Sequence, residues 1–303
     1  MTAPIIAETP TRKISWLKAL RESRVAQSLL LVLPANAYLF IFMALPMVLV
    51  AVLSFLSRGT YGDVVFTFNL TNYSRLLAPL YFKILAYSLV VGVATTFFCI
   101  LIGYPMAYYI ARAPARQRSL LLFLVLLPFW TNFIIRIYAW IMILRAGGFL
   151  DTFLQWAHIT QGSAQLLYTP TAVMIGMVYE FLPFMVLPLY TSLEKIENSV
   201  LEAAADLGAP PHRAFLRVTL PLSIPGVIAG TILVFIPAMG MFVIPDLMGG
   251  AKTILIGNVI RNQFLTARDW PFGAAASMVL MALTMVFTMY YTRKAGFDEE
   301  LLV

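Results

Sequence analysis

Residues 199–245 read SVLEAAADLGAPPHRAFLRVTLPLSIPGVIAGTILVFIPAMGMFVIP, and the two halves of this stretch obey different physics. From Val218 through Pro245 no residue is charged, a run longer than the about 20 apolar residues with which a helix crosses the hydrocarbon of a bilayer. The half before it is helix-favouring but broken at defined points. Ser199 and Glu202 have the Ser-x-x-Glu spacing of a capping box, an alanine-rich segment follows, and Gly208 stands where a left-handed helix stop is needed. Pro210 and Pro211 then suit the first turn of a second short helix over 211–217. The pattern predicts helix, glycine corner, helix, with Val200, Leu201, Leu207, Phe215 and Leu216 turned to water. A solvated linker does not carry that much apolar surface, so the hairpin is expected to dock into a partner protein.

Working outward, the same charge-free signature recurs. The runs 25–57, 84–111 and 270–292 hold no charge, while 119–144 is interrupted only by Arg136 and 171–193 only by Glu180. The expected fold class is therefore an all-α membrane protein with six transmembrane helices, at about 27–56, 84–110, 119–144, 171–193, 220–247 and 270–292. An amino-terminal extension over 1–24, a connecting loop over 194–219 and a tail over 293–303 complete the division. Composition agrees: of 303 residues 61% are hydrophobic and 12% charged, against about 25% charged in an ordinary soluble domain. Small residues at Ala35 and Ala37 imitate a signal cleavage site, but apolar sequence continues to Leu56, which predicts an uncleaved anchor.

Several chemistries are disfavoured. The single cysteine, Cys99, allows no internal disulfide, and two histidines, His158 and His212, are too few for a histidine-rich metal site. The net charge of +7 sits in short basic blocks between apolar runs, which fits orientation in a bilayer better than nucleic-acid binding. With the amino terminus inside, the inner segments hold thirteen lysines and arginines and the outer ones seven, so both termini are expected in the cytoplasm. Pro46, Pro105, Pro128, Pro183, Pro188, Pro225 and Pro237 interrupt the spans, a feature tolerated where neighbouring helices re-satisfy the freed carbonyls, and one that favours a moving bundle over a static anchor. After Gly249 and Gly250, Leu255, Ile256, Val259, Ile260 and Phe264 recur at helical spacing, predicting a short amphipathic helix at the outer surface.

Glu202-Ala203-Ala204, Gly208 six residues after the glutamate, and Val218-Thr219-Leu220-Pro221 resemble the EAA signature of permease subunits of binding-protein-dependent ABC importers, with Val218 in place of the usual isoleucine. Gly103-Tyr104-Pro105, Leu127-Pro128-Phe129-Trp130-Thr131-Asn132, Leu182-Pro183-Phe184-Met185-Val186 and Arg268-Asp269-Trp270-Pro271-Phe272-Gly273 narrow the likeness to the first permease subunit of spermidine/putrescine importers. The resemblance implies a type I importer permease in the bacterial inner membrane. Its elbow, Glu202, Ala203, Ala204, Gly208, Phe215 and Leu216, would couple to an ATPase. It also implies as partners a second homologous permease, two cytoplasmic ATPase subunits and a periplasmic binding protein. ATP and Mg would be bound by the ATPase and no cofactor by this chain: Gly249-Gly250-Ala251-Lys252-Thr253 lacks the glycine that a Walker loop needs before its lysine.

An ionisable residue inside a span costs at least about 2.5 kcal/mol and is a functional candidate. Arg136, Glu180 and, near an outer end, Asp246 qualify. Read with the resemblance, Glu180, with Asp246 and Asp269 nearer the mouth, would receive the ammonium groups of a polyamine beside the aromatic faces of Trp130, Tyr138, Tyr179 and Trp270. The alternative is an internal ion pair between Arg136 and Glu180 that only joins two helices. Composition does not point to a cationic substrate, since the outer segments are not acidic. Another small organic solute, or an ATP-independent carrier without a docking elbow, are the competing functions, and no constellation for a membrane-embedded enzyme is visible.

Overall fold

The computed structural model describes residues 24–160, 162, 165–250 and 252–294, so most of the expected extension and tail lie outside the described residues. The chain forms two compact units, Met1–Val52 and Leu53–Val303. α1 (Arg24–Leu39) passes through a π turn (Phe40–Ala44) into α2 (Leu45–Ser54), which ends just beyond the first unit, and the large side chains Phe40, Phe42 and Met43 are exposed.

The second unit begins with a two-stranded antiparallel ribbon, β1 (Ser57–Arg58) against β2 (Val64–Val65). It continues with α3 (Thr71–Leu76), α4 (Pro79–Arg112), α5 (Ala115–Leu126), α6 (Phe133–Leu144), α7 (Phe149–Trp156) and α8 (Pro170–Glu194). Then follow α9 (Asn198–Asp206), α10 (Pro211–Ala214), α11 (Leu220–Gly240), α12 (Val243–Met248), α13 (Ile256–Leu265) and α14 (Trp270–Lys294). Among the described residues six helical stretches are long and apolar enough to cross a membrane.

One expected span takes a different form. The run 119–144 is not a single helix: α5 tightens into a 3-10 turn (Leu127–Trp130) at Pro128, and the chain leaves helical geometry at Thr131. It restarts where the Asn132 side chain accepts the Ile134 N–H at 2.8 Å as the cap of α6. The apolar stretch of spanning length is Phe133–Trp156 instead. A hydropathy run does not register a cap, which is a matter of one hydrogen bond.

The centre is the mutual packing of α4, α8 and α11, where Cys99, Ala107, Met177, Met185, Leu189 and Val234 are fully buried. Close approach is what fixes it. A Cβ on Gly226 would stand 2.6 Å from the Pro188 carbonyl oxygen, and one on Gly230 would stand 2.6 Å from Met185 Sδ. Small residues at such crossings replace the hydrophobic driving force that lipid does not supply. The Tyr104 and Ser223 hydroxyls, 2.8 Å apart, add a bond between α4 and α11.

The two ends of this bundle differ. At one, α13 covers α4 and α14, and the Ile256 N–H donates to Ser88 Oγ at 2.8 Å. The expected amphipathic helix is thus present, with Leu255, Ile256 and Val259 buried. At the other, Arg112 donates to the Ile196 carbonyl at 3.3 Å and Asn198 Oδ1 at 2.9 Å, while Arg118 meets Glu194 at 2.5 Å, tying α4 and α5 to the end of α8. Gly226→Val is expected to force α8 and α11 apart and to lower stability by about 1–3 kcal/mol. Gly240→Ala, whose Cβ meets nothing within 4 Å, should stay within about 0.5 kcal/mol. Thermal unfolding of both variants in detergent checks the contrast.

Candidate functional site

The elbow is built by α9 and α10. The chain enters α9 at Glu197, whose extended φ and ψ make it the cap, so Ser199 already lies inside the first turn and donates to Glu197 Oε2 at 3.0 Å. The expected Ser199–Glu202 capping box is therefore not formed: the helix starts before the serine, and its hydroxyl is spent on a carboxylate. The stop is as expected. Gly208 has φ +76°, its N–H bonds the Ala205 carbonyl at 2.8 Å, and the Ala209 N–H bonds the Ala204 carbonyl at 3.0 Å, the paired closure of a Schellman corner.

The second arm differs from the expected isolated helix over 211–217. From Pro211 the chain runs through a π turn (Phe215–Thr219) directly into α11, so the arm and the membrane helix are one rod, Pro211–Gly240. Within that turn the Leu220 N–H reaches back to the Phe215 carbonyl, immediately before Pro221, whose ring crowds the regular ladder.

Exposure divides the elbow residues. Val200, Glu202, Ala203, Gly208 and Leu216 are exposed, Leu207 is 89% exposed, and Leu201 and Ala204 are half-buried. Phe215 corrects the expectation of an outward apolar side chain: its ring meets Tyr104 at 5.6 Å and Tyr108 at 6.0 Å, both edge-on at 85°. It anchors the elbow on α4. Sequence spacing could not show this, because the π turn rotates Phe215 relative to a regular helix.

Each carboxylate expected along a substrate path has a partner. Arg136 Nη2 on α6 donates to Glu180 Oε1 on α8 at 3.1 Å, with both residues 9% exposed. Asp246 on α12 accepts from Asn258 and pairs with Arg261, both on α13. Asp269 is buried, pairs with Arg75 at 2.9 Å and accepts the Phe272 N–H at 3.2 Å, capping α14. These last two fasten elements together at the α12 to α14 end, and their arginines lie too far away in sequence for spacing to reveal them.

The aromatic candidates are dispersed. Trp130 is exposed and edge-on to Phe123, Tyr138 is exposed, and Trp270 lies 6.5 Å from Phe264. Tyr179 stacks edge-on against Trp140 at 5.3 Å in the wall of an apolar groove of about 410 Å³, completed by Phe98, Ile102, Met174 and Leu182.

Residues 99–295 match the sequence profile of the family described as binding-protein-dependent transport system inner membrane component. The chain belongs to this family. As an inner membrane component of this kind it is 48% identical over 256 residues to the spermidine/putrescine transport system permease protein PotB of Escherichia coli (strain K12), covering 84% of this chain and 93% of that one. With PotB of Haemophilus influenzae the identity is 47% over 261 residues, covering 85% and 91%. A chain of the bacterial alginate ABC transporter, solved in complex with an alginate pentasaccharide-bound periplasmic protein, superposes with a TM-score of 0.75 at 15% identity, covering 93% of this chain and 97% of that one. That likeness establishes the transporter permease fold.

Removing one partner of the Arg75–Asp269 pair tests its fastening role. Arg75→Met leaves a buried carboxylate uncompensated and should cost about 1–3 kcal/mol, reduced by the partial exposure of the arginine. Asp269→Asn keeps the cap acceptor without the charge and should cost less. The reverse order in thermal unfolding would mean that Asp269 is not held by Arg75.

Proposed function

We propose that this chain is one permease half of an ATP-driven importer that takes polyamines, spermidine and putrescine, from a periplasmic binding protein into the cytoplasm. The observation that carries this reading is the 48% identity to PotB, sustained over 84% of the chain rather than confined to one motif. The other half of the path would come from a second, homologous permease. Two ATPase subunits would bind ATP and Mg and supply the energy.

The elbow is suited to such a motor. Val200, Leu207 and Leu216 offer exposed apolar surface, and Glu202 and Ala203 are exposed beside it, with Ala204 half-buried. Gly208 fixes the angle between the arms. Because the second arm is continuous with α11, a push on the elbow moves a membrane helix and not a slack loop. Phe215, Tyr104 and Tyr108 would carry the same push into α4. The positive-inside bias supports a cytoplasmic side for both termini and this elbow, where nucleotide is found.

Two experiments test the reading. Reconstituted with its permease mate, ATPase and binding protein, the complex should accumulate labelled spermidine and putrescine only with ATP, and should not accumulate an unrelated sugar or amino acid. Uphill accumulation without the ATPase would remove the motor; accumulation of the control solutes alone would remove the polyamine assignment. In the same vesicles Gly208→Val, strained by about 1 kcal/mol or more at positive φ, should assemble normally. Its ATP-driven uptake should fall by about tenfold as the corner opens, a loss equivalent to about 1.4 kcal/mol.

A further inference from the structure

The Arg136–Glu180 pair is made unlike the other two. Asp269 is held by a guanidinium and a backbone N–H, and Asp246 by a guanidinium and an amide. Glu180 receives one hydrogen bond, on Oε1, and among the described residues none reaches its second oxygen, while its side chain keeps 11% of its surface accessible. A guanidinium and a carboxylate are able to form two parallel bonds, so this pair is only half engaged. The arginine is the more enclosed partner. Its Nε and Nη1 are buried without an acceptor, and its guanidinium lies 4.9 Å over the Phe129 ring and 5.8 Å from that of Phe133.

We propose that Glu180 is a relay carboxylate for the ammonium groups of the substrate, and that Arg136 is its tethered counter-ion, releasing Glu180 as each ammonium arrives while keeping the face of Phe129, on which it already rests, and rebonding to expel it. The proposal rests on the polyamine reading above. Its physical basis is continuous pairing of the carboxylate. A bare carboxylate in the bilayer interior is costly, and here the ammonium takes up the bond that Arg136 gives up, while the guanidinium stays on its ring and the local charge rises by one until the ammonium leaves. Arginine suits the tethered role because its planar group rests on an aromatic ring while its donors reach a carboxylate. The single bond makes it displaceable. Passage and structural pairing are then two states of the same contact.

The test uses the complete complex in proteoliposomes, with labelled spermidine as the probe and two readouts, initial uptake and label retained by the complex after ATP turnover. Without its competing cation, Arg136→Gln should retain about tenfold more label and transport about tenfold less. In Arg136→Gln/Glu180→Gln the retention should return to the unaltered level while uptake stays low. Phe129→Leu leaves the ion pair in place and removes the resting face, so it should assemble normally and transport about threefold less. It decides the matter if the arginine variant fails to assemble. Unchanged retention in Arg136→Gln, uptake within about twofold of the unaltered complex in the doubly neutral variant, or unchanged uptake in Phe129→Leu would each overturn the exchange while leaving the polyamine reading standing. An unaltered complex that takes up no polyamine would overturn both.

Discussion

The crossing of α8 and α11 at Gly226 and Gly230 holds the bundle together, because there the backbones approach to a distance that no side chain would permit. Lipid offers helices nothing to escape from, so their association depends on dispersion and on complementary shape. Met185 fills the space over Gly230, the Pro188 carbonyl faces Gly226, and the same face of α8 packs on α4 at Gly103. Three helices thus share one contact surface, and a displacement of any of them is felt by the other two.

That arrangement gives the elbow its mechanical meaning. A force applied at Leu207 or Leu216 has two rigid exits: along the rod into α11, and through the Phe215 ring into Tyr104 and Tyr108 on α4. Both exits are helices that pack against α8. The π turn at the root of the rod and Pro225 within α11 are places where the hydrogen-bond ladder is already loosened, and where bending costs least. Stiff arms joined at loosened points convert a local push into rigid-body motion.

Much of this architecture was legible in the sequence, for a physical reason. Hydrocarbon thickness imposes a length and a composition on every span, so the apolar runs near 84–111, 171–193 and 270–292 located helices directly. The Gly208 corner was equally readable, since only glycine takes φ +76° without strain. What escaped depended on partners distant in the chain or on one hydrogen bond. Asn132 divides the expected third span by capping α6. Ser199 lost its capping role to Glu197, and Phe215 turned inward because a π turn shifts the angular register. Arg75 lies far from Asp269 in sequence, and no local pattern predicts that pairing.

The ion pairs show why a charge count underdetermines a site. The sequence groups Glu180 with Asp246 and Asp269 nearer the mouth, yet their surroundings separate them by how many of their lone pairs are engaged. Asp269, doubly bonded and sealed, joins elements and has nothing left to offer a ligand. Asp246 fastens α12 to α13 in the same manner. Glu180 has one bond, from an arginine whose Nε and Nη1 find no acceptor and whose guanidinium keeps the Phe129 face whether or not that bond is made. In a medium where an unpaired charge is too costly to populate, a carboxylate takes part in transport only if its counter-ion is able to move while remaining stabilised. Arg75 over Phe272 and Arg261 over Phe242 rest on aromatic faces as well, so what sets Glu180 apart is its single engaged oxygen.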